Sequence, residues 1–451
     1  MSRLLIRGGR VVSSEGIRGV DVLVSGGVIE RIDRDLDGSA DRTFDATGCY
    51  ILPGVIDVHT HPVYLDDLES LPVSAAHGGV TTVIHYAYAK PGSGLVETIR
   101  SFREEAERVS VLDFALHGGL FDPAVQSAEI PDAIGEGVTS FKMFMTYAKL
   151  GWMTDDYQLM RTLDIIAQAG GLGMVHAENG LGTDYLQDRM LATGTDPKAA
   201  FLDTRPAILE AEAIHRAIAM AQVAGCPLYI PHMTAALGID EVAAARAKGF
   251  HVYAETCPQY LTLTHEDLLE QGPLLKIGPP LREASDRDAL WRALCEGTID
   301  TIASDHAAKA KTRDDEFFDA PYGTPQVETM LPLVFSEGVR AERIMLTRLV
   351  RTMCENPARI FGLYPKKGVL APGSDADLVI FDPETEWTIE HAGQHSQALY
   401  TAYEGRSCIG KPVLTMQRGE VLVENDDLAA RPGRAVFHPT LAGRASLSEL
   451  T

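Results

Sequence analysis

Eight short apolar runs, separated by stretches of helical period, predict an α/β chain whose parallel sheet is covered by helices. The runs are VIDVH, VTTVIHY, VLDFALHGG, VTSFKMFM, LGMVHA, LYIPHM, FHVYAETC and IDTIASD. Between them, apolar residues recur every three or four positions. In 206–225, Ile208, Ala211, Ile214, Ile218 and Ala221 form one stripe, which Gly225 and Pro227 end. LVETIRSFREEAERV and DYQLMRTLDIIAQAG behave alike. Eight strand–helix repeats are the number that closes a TIM (β/α)8 barrel.

The ends of the chain have a different texture. LLIRGGRVV, VDVLVSGGVIERI and TFDATGCYIL are short strand-like runs, and the same style returns in DADLVIFD and VLTMQRGEVLVE. Both ends are therefore expected to build one small β-sandwich. The expected organisation is 1–50 for its first part, 51–364 for the catalytic barrel, 365–428 for its second part and 429–451 for a C-terminal tail or interface arm. KAKTRDDEFFDAPYGTP is expected to be a long loop after the last barrel strand. A length of 451 residues suits this plan.

A formal charge of −23 argues against nucleic acid or an anionic membrane as partner. The first residues, MSRLLIRGGRVVSSEG, lack the apolar core of a signal peptide, and no apolar run is long enough to span a bilayer. The six cysteines are scattered without a CxxC pair, which suits a cytoplasmic protein with reduced, buried thiols.

Barrels carry their chemistry at the C-terminal ends of the strands. His59 and His61 end the first run, Lys142 lies in the fourth, His176 ends the fifth, His232 the sixth and Asp305 the eighth. Residues i and i+2 of a strand project to one side, so the His59-Thr-His61 pair faces together. Imidazoles and carboxylates are the usual ligands of zinc-like divalent ions. Singly, each histidine has an ordinary reading; jointly, at strand ends, they describe a metal centre. Lys142 is the sharpest residue. Burying an ammonium in SFKMFM is costly, and burial lowers a lysine's pKa and exposes its amine. Such an amine can take up CO2 as a carbamate, an anion able to bridge two divalent ions.

PGVIDVHTH, GVTSFKMFM, VHAEN, ETCPQYL, GPPLR, SDH and APGSDADLVIFD together resemble the cyclic amidohydrolases: hydantoinases, dihydropyrimidinases, allantoinases and dihydroorotases. The resemblance covers nearly the whole chain. It implies two metal ions, usually zinc, with His59, His61 and Asp305 on one, His176 and His232 on the other, and carbamylated Lys142 between them. It implies that Asp305 carries a proton from the attacking water to the leaving nitrogen. It also implies that Tyr147 donates to the carbonyl oxygen, and that the chain forms a homotetramer or homodimer. The substrate would be a small five- or six-membered cyclic ureide or imide, opened at its amide C–N bond to an N-carbamoyl amino acid or half-amide.

Within the group, the pattern leans to the hydantoinase and dihydropyrimidinase type. Dihydroorotases resemble HxHxR, whose arginine holds a ring carboxylate; this chain has Val63, so dihydroorotate is expected to be a poor substrate. HPVYLDDLES does not match the Asn-Glu-Pro stretch of allantoinases. VLDFALHGG and CENPARIFGLYPKKG resemble an L-hydantoinase type without deciding stereochemistry. Two positions depart from the family: Gly278 stands where Ser is common before PPLR, and Tyr322 where Asn is common before Gly. The family contacts the substrate amide there mainly through the main chain. His85 and His117 are expected to pack or support the site, as is His306 beside Asp305. The alternatives are an allantoinase or dihydroorotase-like activity, a mononuclear deaminase of the same superfamily, which would not need Lys142, and a non-catalytic scaffold. The dihydropyrimidinase-related neuronal scaffolds have lost ligands, whereas all six are present here.

Overall fold

A computed structural model describes residues 3–36 and 40–450. Positions 1, 2, 37–39 and 451, which fall in the expected terminal segments, lie outside the described residues.

All eight apolar runs are strands: β1 (Val55–Thr60), β2 (Val80–Ala89), β3 (Asp113–Leu120), β4 (Ser140–Phe144), β5 (Leu172–His176), β6 (Leu228–Ile230), β7 (Val252–Thr256) and β8 (Thr301–Ile302). Each pairs in parallel with the next, in sequence order. A parallel bridge between Thr60 and His306 closes the ring from just beyond β8. The two-residue alternation of the strands sorts the core. Ile56 and Val58, Ile84 and Tyr86, Leu172 and Met174, Tyr229 and Tyr253 fill the interior. Their neighbours Val55, Val83, Phe141 and Val175 face outward into the helix-covered core. Gly54 is required at the entry to β1, because a Cβ there would meet Thr81 Oγ1 at 2.1 Å.

The helix Ala207–Ala224 ends where expected, with Gly225 left-handed at its cap. Its buried stripe differs from expectation at one end. Ile208 is 60% exposed. The buried position of that turn is taken instead by Glu210, which receives Arg282 at 2.7 Å and the Thr234 N–H at 2.9 Å. A polar requirement has displaced the apolar residue that periodicity favoured.

Both chain ends meet in one sheet. Tyr50–Pro53 runs parallel to Arg10–Val12 and antiparallel to Leu378–Ile389, which continues to Arg406–Gln417 and Glu420–Glu424. A four-stranded sheet of N-terminal residues lies in the order Val28–Asp33, Asp21–Ser25, Arg3–Arg7, Arg42–Asp45. Ile6, Val24, Ile51, Ile380 and Met416 pack in the core that the two share. The segment from Ala429, expected as a tail or interface arm, lies along its own barrel. Phe437 bridges to Phe114, Leu441 N–H donates to Phe361 O at 3.0 Å, and Tyr253 OH donates to Ala445 O at 2.5 Å. No cysteine is bonded; four are buried, Cys49 is half-buried, and Cys295 is exposed, against the expectation of buried thiols throughout. No helix of the described residues is long and apolar enough to cross a membrane.

One buried ion cluster joins barrel, sandwich and C-terminal segment. Lys367 Nζ lies 2.7 Å from Asp377, 2.9 Å from Asp113 and 3.3 Å from Asp375. Asp113 opens β3 and also faces Arg418 at 3.3 Å and His438 at 3.1 Å. Removing one member of such a cluster strands the others in low dielectric. Lys367→Met should therefore cost about 3–5 kcal/mol. Urea or thermal unfolding of the full chain checks this, and an unchanged midpoint would refute it.

Candidate metal centre

Every site residue expected from the sequence lines one cavity of about 380 Å³ at the C-terminal mouth of the barrel. His59 and His176 sit at or next to the last residue of β1 and β5, and Lys142 sits at the middle of β4. His61, His232 and Asp305 lie just past the ends of β1, β6 and β8. His232, Asp305 and Tyr147 have positive φ, at 42°, 51° and 64°. These conformations are unfavourable for side-chain-bearing residues, and such strain concentrates at functional sites.

The four imidazoles form a row. Ring centroids are 5.1 Å apart from His61 to His59, 5.3 Å from His59 to His232 and 4.5 Å from His232 to His176. Asp305 Oδ1 lies 2.9 Å from His61 Nε2 and 3.2 Å from His59 Nε2, a grouping that could hold an ion. Lys142 is 1% exposed and makes no hydrogen bond or ion pair with any described residue; its ammonium stands 5.2 Å from the Tyr86 ring centre.

Carboxylates behind the row orient it. His59 Nδ1 meets Glu255 Oε1 at 2.7 Å, which leaves Nε2 for the cavity. Glu255 also accepts the His232 main-chain N–H at 3.0 Å and the Tyr229 hydroxyl at 2.7 Å. His176 Nε2 meets Glu178 at 2.7 Å, and Arg205 pairs with the other oxygen of Glu178 at 2.9 Å. Tyr88 OH lies 3.1 Å from His61 Nδ1. Such outer partners fix the tautomer of a metal-binding imidazole.

The electrostatics suit ligation. Burial pushes His59 and His232 well below the ordinary imidazole value, and lowers His61 and His176, so all four are neutral with a free lone pair at neutral pH. The Lys142 charge pushes each of them the same way. Burial raises the Asp305 carboxyl, but the contacts with His59 and His61 and the Lys142 charge lower it on balance, so Asp305 is ionised at neutral pH. Lys142 is brought to about 8 by burial, against the pull of Glu255 and Asp305. Burial lifts Glu255 to about 8 and keeps Tyr147 protonated.

Tyr147 stands edge-on to His176, with centroids 5.3 Å apart. Gly278 lies between Tyr147 and Tyr322: a Cβ there would come within 3.1 Å of Tyr147 Oη and 3.2 Å of the Tyr322 ring. The two positions expected to depart from the family pattern are therefore neighbours, and a side chain at 278 would press on the Tyr322 ring. Tyr322 OH accepts from Arg205 at 3.0 Å. His85 meets Thr60 Oγ1 at 2.7 Å, His117 meets Ser140 Oγ at 2.6 Å, and His306 meets Asp66 at 2.8 Å, all away from the cavity wall. Sequence reasoning missed Glu255, Glu178, Arg205, Lys276 and Lys309. Glu255, a carboxylate at the end of an apolar strand, carried the same signal as the ligands.

A family model described as the amidohydrolase family matches residues 50–422. The chain belongs to this family. Within the amidohydrolases it is 38% identical to a D-hydantoinase of Rhizobium radiobacter, over 96% of this chain and 98% of that one. It is 40% identical to a D-hydantoinase of Geobacillus stearothermophilus, over 95% and 94%. A dihydropyrimidinase structure from Brevibacillus agri superposes with a TM-score of 0.93 at 35% identity, covering 98% of this chain and 100% of that one. An L-hydantoinase (dihydropyrimidinase) from Arthrobacter aurescens does so with 0.92 at 34%, covering 97% and 99%. D and L types stand at comparable distance, so the likeness to L-hydantoinase segments does not select a hand.

Glu255 touches two histidines at once, through the His59 ring and the His232 main chain. Glu255→Gln should weaken metal retention by about 10–100-fold. Competition with a chelator of known affinity measures this, and unchanged retention would remove Glu255 from the centre.

Proposed function

We propose that this amidohydrolase is a divalent-metal-dependent enzyme that opens the amide C–N bond of a cyclic ureide or imide of the hydantoin or dihydropyrimidine class. The product is an N-carbamoyl amino acid or half-amide. The observation that carries the reading is Lys142: a buried lysine in no ion pair among the described residues, beside four neutral imidazoles and an ionised aspartate, on the wall of a ring-sized cavity. The hydantoinase and dihydropyrimidinase relatives support the choice of substrate.

The donor set fits two divalent ions, and its imidazoles and carboxylate suit zinc. His59, His61 and Asp305 would hold one ion, and His176 and His232 the other. The Lys142 amine, once neutral, would add to CO2 with loss of a proton, and the carbamate would supply an anionic ligand between the two sets of residues. Bound there, the ions would polarise the scissile carbonyl and bring a water's pKa near neutrality.

The chain's own groups do the rest. Asp305 accepts the proton of the attacking water and returns it to the ring nitrogen as the C–N bond breaks. Tyr147, kept protonated by burial, donates to the carbonyl oxygen as negative charge develops. Its left-handed backbone and the space left by Gly278 aim the hydroxyl. Main-chain groups near Gly278 and Tyr322 read the ring's –CO–NH– edge. Exposed apolar residues on the helical surface, Tyr157, Leu181 and Tyr185, support assembly into a homodimer or homotetramer.

The direct test is ring opening of hydantoin, 5-substituted hydantoins, dihydrouracil and succinimide by the metal-loaded chain; if none is opened, the proposal fails. Lys142→Ala should lose most activity and much of its metal, and a short carboxylic acid should restore part of the turnover. Full activity with two bound ions in the unrescued variant would falsify the bridging role. Asp305→Asn, with metal content confirmed, should lower kcat by about 10²–10⁴. A rate within a few-fold of wild type would assign the proton transfer elsewhere.

A further inference from the structure

The charge pattern around the cavity goes beyond what ring opening needs. Deeply buried cations elsewhere in the chain each face a carboxylate: Arg205 faces Glu178, Arg282 faces Glu210, and Lys367 faces its three aspartates. Around the cavity mouth this rule lapses. Buried Lys276 and Lys311 and half-buried Lys309 cluster there, and none makes an ion pair with a carboxylate among the described residues, although the chain carries a net charge of −23. Two of the three have a structural task. Lys276 Nζ donates to Phe318 O and Ala320 O, both at 2.6 Å, and Lys311 Nζ donates to Leu274 O at 3.0 Å and Lys276 O at 3.2 Å. They pin the loop after β8 to the segment before Gly278.

Lys309 has no such task. Its ammonium makes no hydrogen bond with a described residue and lies over the ring of Tyr64. It lines both the reaction cavity and an outer hollow of about 760 Å³, and so stands at the lip between them. Nearby acids make no ion pair with it: Asp305 attracts it from deeper in the cavity but is held by His59 and His61, Asp315 is held by Thr312, Glu404 by His391, and Asp319 lies at the exposed rim. A neutral hydantoin or imide ring gives an ammonium at this lip nothing to pair with. The carboxylate made by ring opening forms deeper, at the metal end.

We infer that Lys309 selects substrates by charge: the ring this chain opens carries an acidic exocyclic arm, whose carboxylate pairs with the Lys309 ammonium at the cavity lip. This inference rests on the ring-opening function proposed above. Val63 brings no guanidinium to the rim, but the loop after β8 delivers a cation beside the same turn. Burial lowers Lys309 to about 7 against the pull of Asp305, and an incoming carboxylate would oppose the burial more closely, so the pairing favours an anionic arm over a neutral one.

The experiment compares two hydantoins of matched size on the metal-loaded full chain, one with a 5-(2-carboxyethyl) arm and one with a 5-(2-carbamoylethyl) arm. The wild-type ratio of kcat/KM, acid over amide, should exceed about tenfold. Lys309→Gln should bring the ratio towards one, Lys309→Arg should keep it, and Lys309→Glu should invert it. A wild-type ratio of one or less, or a ratio unchanged in Lys309→Gln, overturns the assignment. Unsubstituted hydantoin separates the two levels. If it is opened while the ratio is flat, the role of Lys309 alone fails; if no hydantoin is opened, the ring-opening function fails and this inference falls with it.

Discussion

The seam between the first and last barrel strands is the constraint on which the site depends. His61 and Asp305 are far apart in the chain and become neighbours only because the sheet closes on itself. The Thr60–His306 bridge makes the join, and His61 N–H donates to His306 O at 3.0 Å. Asp57 locks the seam from inside, accepting main-chain N–H groups from His59 at 3.2 Å and Ser304 at 3.0 Å. That carboxyl is fully buried, and burial lifts it to about 6 against those hydrogen bonds. A polar group placed so deep fixes one register, since a slip of one residue would leave it unsatisfied and turn both histidines to the wrong face.

Desolvation then does two jobs with one wall of protein. It keeps the imidazoles neutral and Lys142 only weakly basic, and it strengthens each contact made inside the cavity. Strained backbone at Tyr147, His232 and Asp305 is tolerated because the surroundings over-determine it. Glu255 accepts from the His232 N–H, Asp305 meets two imidazoles, and Tyr147 is enclosed by His176, Trp152 and Tyr322.

Much of this was legible in the sequence, for a physical reason. A strand buried on both faces must be apolar, so a polar residue at its end stands out, and that contrast marked His59, His176 and His232. The same contrast marked Glu255 in VYAETC, although nothing in one dimension showed which histidines it would touch. Arg205 and Lys309 were not legible. Both stand outside the barrel strands, where charge is ordinary, and their significance lies in what faces them or fails to. Ile208 shows the opposite limit: its spacing was right for the stripe, but the buried place in its turn went to Glu210, whose partners Arg282 and Thr234 come from distant segments.

The order in which the chain closes carries a consequence for its synthesis. Tyr50–Pro53 waits for Leu378–Ile389 before its sheet exists, and the underside of the barrel waits longer still. Leu441, Gly443 and Ala445 reach Phe361, Ile360 and Tyr253 only after every barrel strand has been made. A nascent chain emerging from the ribosome therefore holds the segments of its reaction centre well before it can cover the opposite end of the barrel. Segment 441–445 behaves as a keystone, and changes within it act on closure of the whole barrel.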